Sequence, residues 1–174
     1  MIVVALVSAL CGWFTAYNAA FDPTAYWPYY RGVLPFCILL AAVCVRPLIR
    51  IPLAVAGCLL SWRLAFFMMD AMQWFLHSPD DPQFWKRALY WAGPGIVGAL
   101  GIAAAIGIGS QNIFQCKRFW LIGLVGLLAA TIFAVHRPFN LYVGFAVWQA
   151  AVGSLIFSTA GLRTPGVSHQ EQTG

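Results

Sequence analysis

Apolar positions run along this chain in long stretches separated by short polar clusters. The first stretch reaches from Met1 to about Ala20 and meets no charge before Asp22. Others run from about Tyr29 to Val45, Ile51 to Leu76, Ala88 to Gly109, Phe119 to Val135 and Leu141 to Leu162. Each lies near the roughly 17–25 residues that an α-helix needs to cross hydrocarbon. A chain in lipid must satisfy its backbone polar groups internally, which selects helices or closed barrels. The breaks carry turn chemistry: Asp22-Pro23, Arg46-Pro47, the His77-to-Pro82 cluster with two prolines and two acids, Ser110-Gln111-Asn112, and His136-Arg137-Pro138. The pattern predicts an all-α, polytopic integral membrane bundle of six transmembrane helices over 1–162. A polar tail, 163–174, is expected to be disordered. A five-helix alternative makes the third stretch interfacial, because Arg63 and Asp70 interrupt it. Pro35 is expected near the start of the second helix, where a missing N–H costs little. Gly93-Pro94-Gly95 is expected to open the fourth. The rival reading there is a broken helix presenting N–H groups to an anion. The first stretch reads as a retained helix rather than a cleaved signal. No Lys or Arg precedes it, and Asn18-Ala19-Ala20 is a poor cleavage site.

Composition sharpens this. Of 174 residues, 61% are hydrophobic and only 9% charged. Soluble domains average roughly 45–50% apolar and about 25% charged residues. Ten Lys/Arg and five Asp/Glu cannot coat a soluble domain of this size, so soluble and disordered classes are excluded. A net charge of +5 would suggest acidic partners in a soluble protein. Here Arg31, Arg46, Arg50, Lys86, Arg87, Lys117, Arg118, Arg137 and Arg163 flank the apolar stretches instead. The partner implied is the lipid bilayer, with other membrane subunits or self-association, and not nucleic acid. With six spans, Arg46, Arg50, Lys117, Arg118 and Arg163 share the side of the termini, against Arg31, Lys86, Arg87 and Arg137 opposite. The positive-inside rule then places both termini in the cytoplasm, in a cytoplasmic (inner) membrane. Trp and Tyr crowd the other side, as a lipid anchor or a docking surface.

Candidate chemistry is sparse. Cys11, Cys37, Cys44, Cys58 and Cys116 form no CxxC pair and are expected as small apolar packing residues. His77, His136 and His169 share no helix face, so neither a metal nor a cofactor is implied. Small residues recur every four positions. Ala99, Ala103 and Gly107, and Gly101, Ala105 and Gly109, form two ridges of the fourth helix. Gly126 and Ala130 continue the device, as do Ala146, Ala150, Ser154 and Ser158. Such ridges let helix backbones approach closely in lipid. The rival is a polar path along Gln149, Ser154 and Ser158.

The one unusual feature is polar. Arg63, Asp70 and His77 are seven residues apart and so share a face of the third helix, with Gln73 beside Asp70. Charges at membrane depth cost roughly 2.5–3.5 kcal/mol each on insertion scales. These four residues are the candidate intramembrane polar network; the rival is an interfacial Asp70 with a snorkelling Arg63. The function expected is a non-catalytic component of a membrane complex, an assembly factor or accessory subunit. The alternative is a small-solute or ion permease using the Arg63/Asp70 stripe, and the third a lipid-modifying enzyme. No catalytic set is evident, which leans against an enzyme.

Overall fold

In a computed structural model that describes residues 1–21, 27–76, 83–109, 111–114, 116–135 and 140–161, each long apolar stretch forms a helix. These are α1 (Ile2–Phe21), α2 (Trp27–Cys44), α3 (Ile51–Leu76), α4 (Phe84–Gly107), α5 (Cys116–Ala130) and α6 (Asn140–Gly161). Single 3₁₀ turns follow at Leu48–Arg50, Gln111–Phe114 and Thr131–Ala134, and no strand occurs among the described residues. The expected tail, 163–174, lies outside the described residues. Four segments are long and apolar enough to cross a membrane: Leu48–Leu76, Phe84–Gly107, Lys117–Ala134 and Leu141–Ala160. Ile2–Tyr17 and Tyr30–Cys44 are shorter apolar stretches. α3 runs unbroken through Arg63 and Asp70 for 26 residues, or about 39 Å at 1.5 Å per residue.

Two proline expectations need correction. Pro35 lies inside α2 and Pro94 inside α4, each beyond the first turn. Both helices begin earlier than the apolar pattern suggests, at Trp27 and Phe84, because flanking aromatic and basic residues also adopt helix. α4 is continuous through Gly93-Pro94-Gly95, so no broken end faces an anion there.

The helices pack in chain order as a ring. Each touches the next, and α1 closes the ring against α6. Small residues set these approaches. A Cβ on Gly101 would lie 2.5 Å from Ser61 Oγ, and one on Gly57 would lie 2.8 Å from Ala105 Cβ, so one α4 ridge is pressed on α3. A Cβ on Gly95 would meet Ala130, and one on Gly126 would meet Ala99, so another edge of α4 is pressed on α5. Gly12 abuts the Phe145 carbonyl of α6 and Gly32 the Thr15 backbone of α1. Of the two ridges expected of the fourth helix, Gly101 and Ala105 are pressed on α3 and Ala99 meets α5, while Gly107 meets Phe114 and Gly109 meets Val45.

Arginines close helix ends. Arg46 donates to the carbonyls of Ala42 at 2.9 Å and Val45 at 2.8 Å, where α2 has run out of backbone donors. Arg50 donates to the Ile108 carbonyl beyond α4 at 3.1 Å, and Arg87 to the Ala134 carbonyl after α5 at 3.1 Å. Cationic groups suit the negative end of the helix dipole.

Candidate functional site

The candidate polar network sits on α3. Arg63 and Gln73 are exposed and Asp70 is half-buried; His77 lies outside the described residues. The rise between Arg63 and Asp70 is about 10.5 Å. Ala54, Cys58, Ser61, Trp62, Ala65 and Phe66 form the buried face of α3. Leu53, Leu60, Leu64 and Phe67 lie exposed at helical spacing on the same side as Arg63. The arginine thus belongs to the outer surface of the bundle and not to a central path. Trp74 and Phe75 at the end of α3, and Phe84 and Trp85 at the start of α4, extend the exposed apolar surface.

The polar path along α6 is not formed as a continuous line. Gln149 is fully buried and donates through Nε2 to Thr15 Oγ1 at 3.1 Å, and Thr15 donates to the Cys11 carbonyl at 2.8 Å. Ser158 turns back to the Leu155 carbonyl at 2.9 Å. Gln149 Oε1, Ser8 Oγ and Ser154 Oγ have no hydrogen-bond partner among the described residues. The Gln149–Thr15 bond makes a polar clasp between α1 and α6. The cysteines Cys37, Cys44 and Cys58 are buried among apolar side chains of the core, as small packing residues would be. Among the described residues no group of three His, Cys, Asp or Glu is placed to hold a metal ion.

Sequence reasoning missed an aromatic cavity. Trp62 and Phe66 of α3, Trp91 of α4, Phe133 after α5, and Phe145 and Trp148 of α6 surround a partly open space of about 50 Å³. Met69, Pro94, Gly95 and Gly98 complete much of its wall. Trp62 contacts Trp148 edge-on at 5.3 Å between ring centres, and Trp91 stacks on Phe133 at 4.7 Å with 21° between planes. Such pairs add roughly 0.5–1.5 kcal/mol beyond the area they bury. The two central indoles differ. Trp148 Nε1 donates to the Gly126 carbonyl at 3.0 Å, which the glycine leaves accessible. Trp62 is 5% exposed, and its Nε1 has no partner among the described residues. The aromatic residues at i, i+3 and i+4 (Trp62/Phe66, Phe145/Trp148) were the available signal. In an all-apolar helix, that spacing does not say which face turns inward.

The described residues form an all-helical fold with four segments long and apolar enough to cross a membrane. No family model matches the chain, and neither a curated protein nor a solved structure matches it.

Proposed function

We propose that this protein is a six-span, non-catalytic component of a membrane complex, an assembly factor or accessory subunit that meets its partner through the outer face of α3. The observation that supports this reading is the position of Arg63, the thirteenth of 26 residues in α3, exposed within a stripe of Leu60, Leu64 and Phe67. An arginine at mid-helix gives this exposed apolar stripe a polar mark by which a neighbouring subunit can recognise it. A permease reading places its path between copies of the chain, since Arg63 faces outward. Affinity purification in mild detergent with mass spectrometry of co-purifying chains separates the two. A stoichiometric partner that Arg63→Ala releases supports the subunit reading. A homo-oligomer conducting solute in liposomes, with no other chain present, overturns it.

The same reading places the chain in a cytoplasmic membrane with both termini cytoplasmic, on the distribution of Arg and Lys about the spans. Paired fluorescent-protein and alkaline-phosphatase fusions at residue 174 are expected to give fluorescence without phosphatase activity. The opposite result reverses the orientation or changes the span count.

A further inference from the structure

We propose that the turn between α2 and α3 binds the phosphate of an anionic phospholipid, with Arg46 and Arg50 as its donors. The two side chains are anchored on neighbouring helix ends. Arg46 donates through Nη1 to the carbonyls of Ala42 and Val45, and Arg50 through Nη1 to the carbonyl of Ile108, just beyond α4. These ends touch. A Cβ on Gly109, the residue after Ile108, would lie 2.5 Å from Val45 Cγ1 and 3.0 Å from Val45 Cα. The two guanidinium groups therefore hang on carbonyls either side of one close contact. Both side chains are exposed. A guanidinium carries five N–H donors. The anchors use Nη1 alone, which leaves Nε and Nη2 of both arginines without a partner among the described residues. The anchors also hold the groups in place, so less side-chain freedom is lost when a ligand binds.

Charge names the class of ligand. Asp70 is the one acidic residue among the described residues, and it lies towards the far end of α3, 19 residues beyond Ile51 or about 28 Å along the helix. Neither arginine meets an acid. The carbonyl ends of α2 and α4 carry about half a negative charge each, which offsets only part of two full positive charges. α5 also starts at this end, since Phe114 just before it packs on Gly107, and it adds Lys117 and Arg118. The field at this end of the bundle thus favours an anion. The planar fork of an arginine matches phosphate oxygens in pairs.

Position names the source of the phosphate. Leu48–Leu76 and Phe84–Gly107 are both long and apolar enough to cross a membrane. Arg46, Arg50 and Ile108 all fall at the same ends of these two segments, where hydrocarbon gives way to headgroups. Between the two arginines stand Leu48 and Ile49, 63% and 86% exposed. Inorganic phosphate would leave both side chains in water. A phospholipid covers them with its acyl chains while its phosphate meets the arginines, the arrangement in which basic side chains work at a bilayer surface. The proposal rests on the membrane reading and not on the subunit reading, so it stands whether or not a partner sits on the outer face of α3.

The test is native mass spectrometry of the purified full chain in a neutral detergent. It is titrated with phosphatidylglycerol and with phosphatidylcholine of the same acyl chains, whose headgroup has no net charge. The first phosphatidylglycerol should bind about tenfold more tightly than phosphatidylcholine, as expected for two cations near the lipid surface. Arg50→Gln should weaken phosphatidylglycerol about threefold to tenfold and leave phosphatidylcholine unchanged. Arg50→Lys keeps the charge without the fork and should lose part of the same affinity. Lys117→Gln removes one charge from the same end of the bundle and should have the smaller effect. Arg46→Gln also removes two helix-end bonds, so the lipid preference of the parent and the Arg50 variants decide the outcome if it fails to fold. Equal binding of the two lipids overturns the proposal. So does an equal loss from Lys117→Gln and Arg50→Gln, which would show a diffuse charge in place of a site. Displacement of the lipid by inorganic phosphate beyond that by chloride at the same ionic strength overturns the lipid as the source. An acidic protein that co-purifies with the parent, excludes phosphatidylglycerol and is released by Arg50→Gln overturns it as well.

Discussion

Adding one methyl group at Gly101 is expected to destabilise the bundle, and the geometry fixes how. An ideal Cβ there would sit 2.5 Å from Ser61 Oγ, 2.6 Å from Ser61 Cβ and 3.4 Å from Ser61 Cα. Carbon atoms in contact prefer about 3.5–4.0 Å, so the α3–α4 approach must open by roughly 1 Å. Ser61 cannot simply swing its hydroxyl aside without losing the 2.7 Å bond to the Gly57 carbonyl. The next turn is equally tight, with Gly57 against Ala105. Overpacking of this kind costs about 1–3 kcal/mol, and replacing glycine by alanine in a helix returns about 0.5–1 kcal/mol. The net loss for Gly101→Ala is about 1–2 kcal/mol. At roughly 2–4 °C per kcal/mol for a chain of this size, the midpoint should fall by roughly 2–8 °C in detergent. Combination with Ser61→Gly removes both clashing atoms and should recover most of the loss. Ser61→Ala keeps the Cβ and should recover little. Leu121→Ile, at an exposed position of α5, is the neutral control. Gly101→Ala as stable as the parent, or rescue by Ser61→Ala equal to that by Ser61→Gly, would refute the close approach at Ser61.

Thr15→Val should lower stability, because it removes an acceptor of the buried Gln149 amide; Gln149→Met should be neutral or stabilising, since it removes the amide together with its Oε1, unmatched among the described residues. Thermal melts of both variants and the double check this, and a Gln149→Met variant weaker than Thr15→Val would contradict it. At the proposed polar network, Arg63→Ala and Asp70→Ala should each lower folded yield, with much of the loss recovered in the double variant. A coupling energy below about 0.5 kcal/mol, the scatter between independent sites, would show that the two charges do not act together.

The element order was legible because apolar length is a strong signal and each polar break falls at a helix end. α3 begins at Ile51 and ends at Leu76, as the pattern suggests. The ridges of α4 were legible for a related reason: small residues at four-residue spacing have few other uses in lipid. The starts of α2 and α4 were not, because Trp27 and Phe84 open turns that mix aromatic and basic residues and fall outside the apolar pattern. Pro35 and Pro94 lie well inside their helices, and would do so even from starts at Tyr29 and Ala88. Of the candidate site, the shared face of Arg63 and Asp70 followed from spacing alone, whereas the outward direction of Arg63 did not. A helix apolar on every side carries no periodicity that tells core from lipid. The clasp between Thr15 and Gln149 spans 134 residues of sequence, and a polar residue in an apolar stretch does not name its partner.

The cavity itself follows from how the glycines of α4 are placed. At 100° per residue, a step of three residues turns back by about 60° around the helix. Gly95, Gly98 and Gly101 are three apart, so Gly98 lies midway between a position pressed on α5 and a position pressed on α3. Gly95 abuts Ala130 and the Gly126 carbonyl, and Gly101 abuts Ser61, with no room for a methyl group at either. α4 is thereby pinned on both flanks and cannot move toward the face between them. That face looks at Trp148 of α6, where a Cβ on Gly98 would find ordinary contact at 3.4 Å. Trp62 and Phe66 of α3, Phe145 and Trp148 of α6, and Pro94 of α4 line the space left there. Tight approach on two sides thus creates the loose one. Trp62 lines the space that results, and its N–H has no acceptor among the described residues. Close packing and the aromatic cavity are two consequences of one glycine spacing.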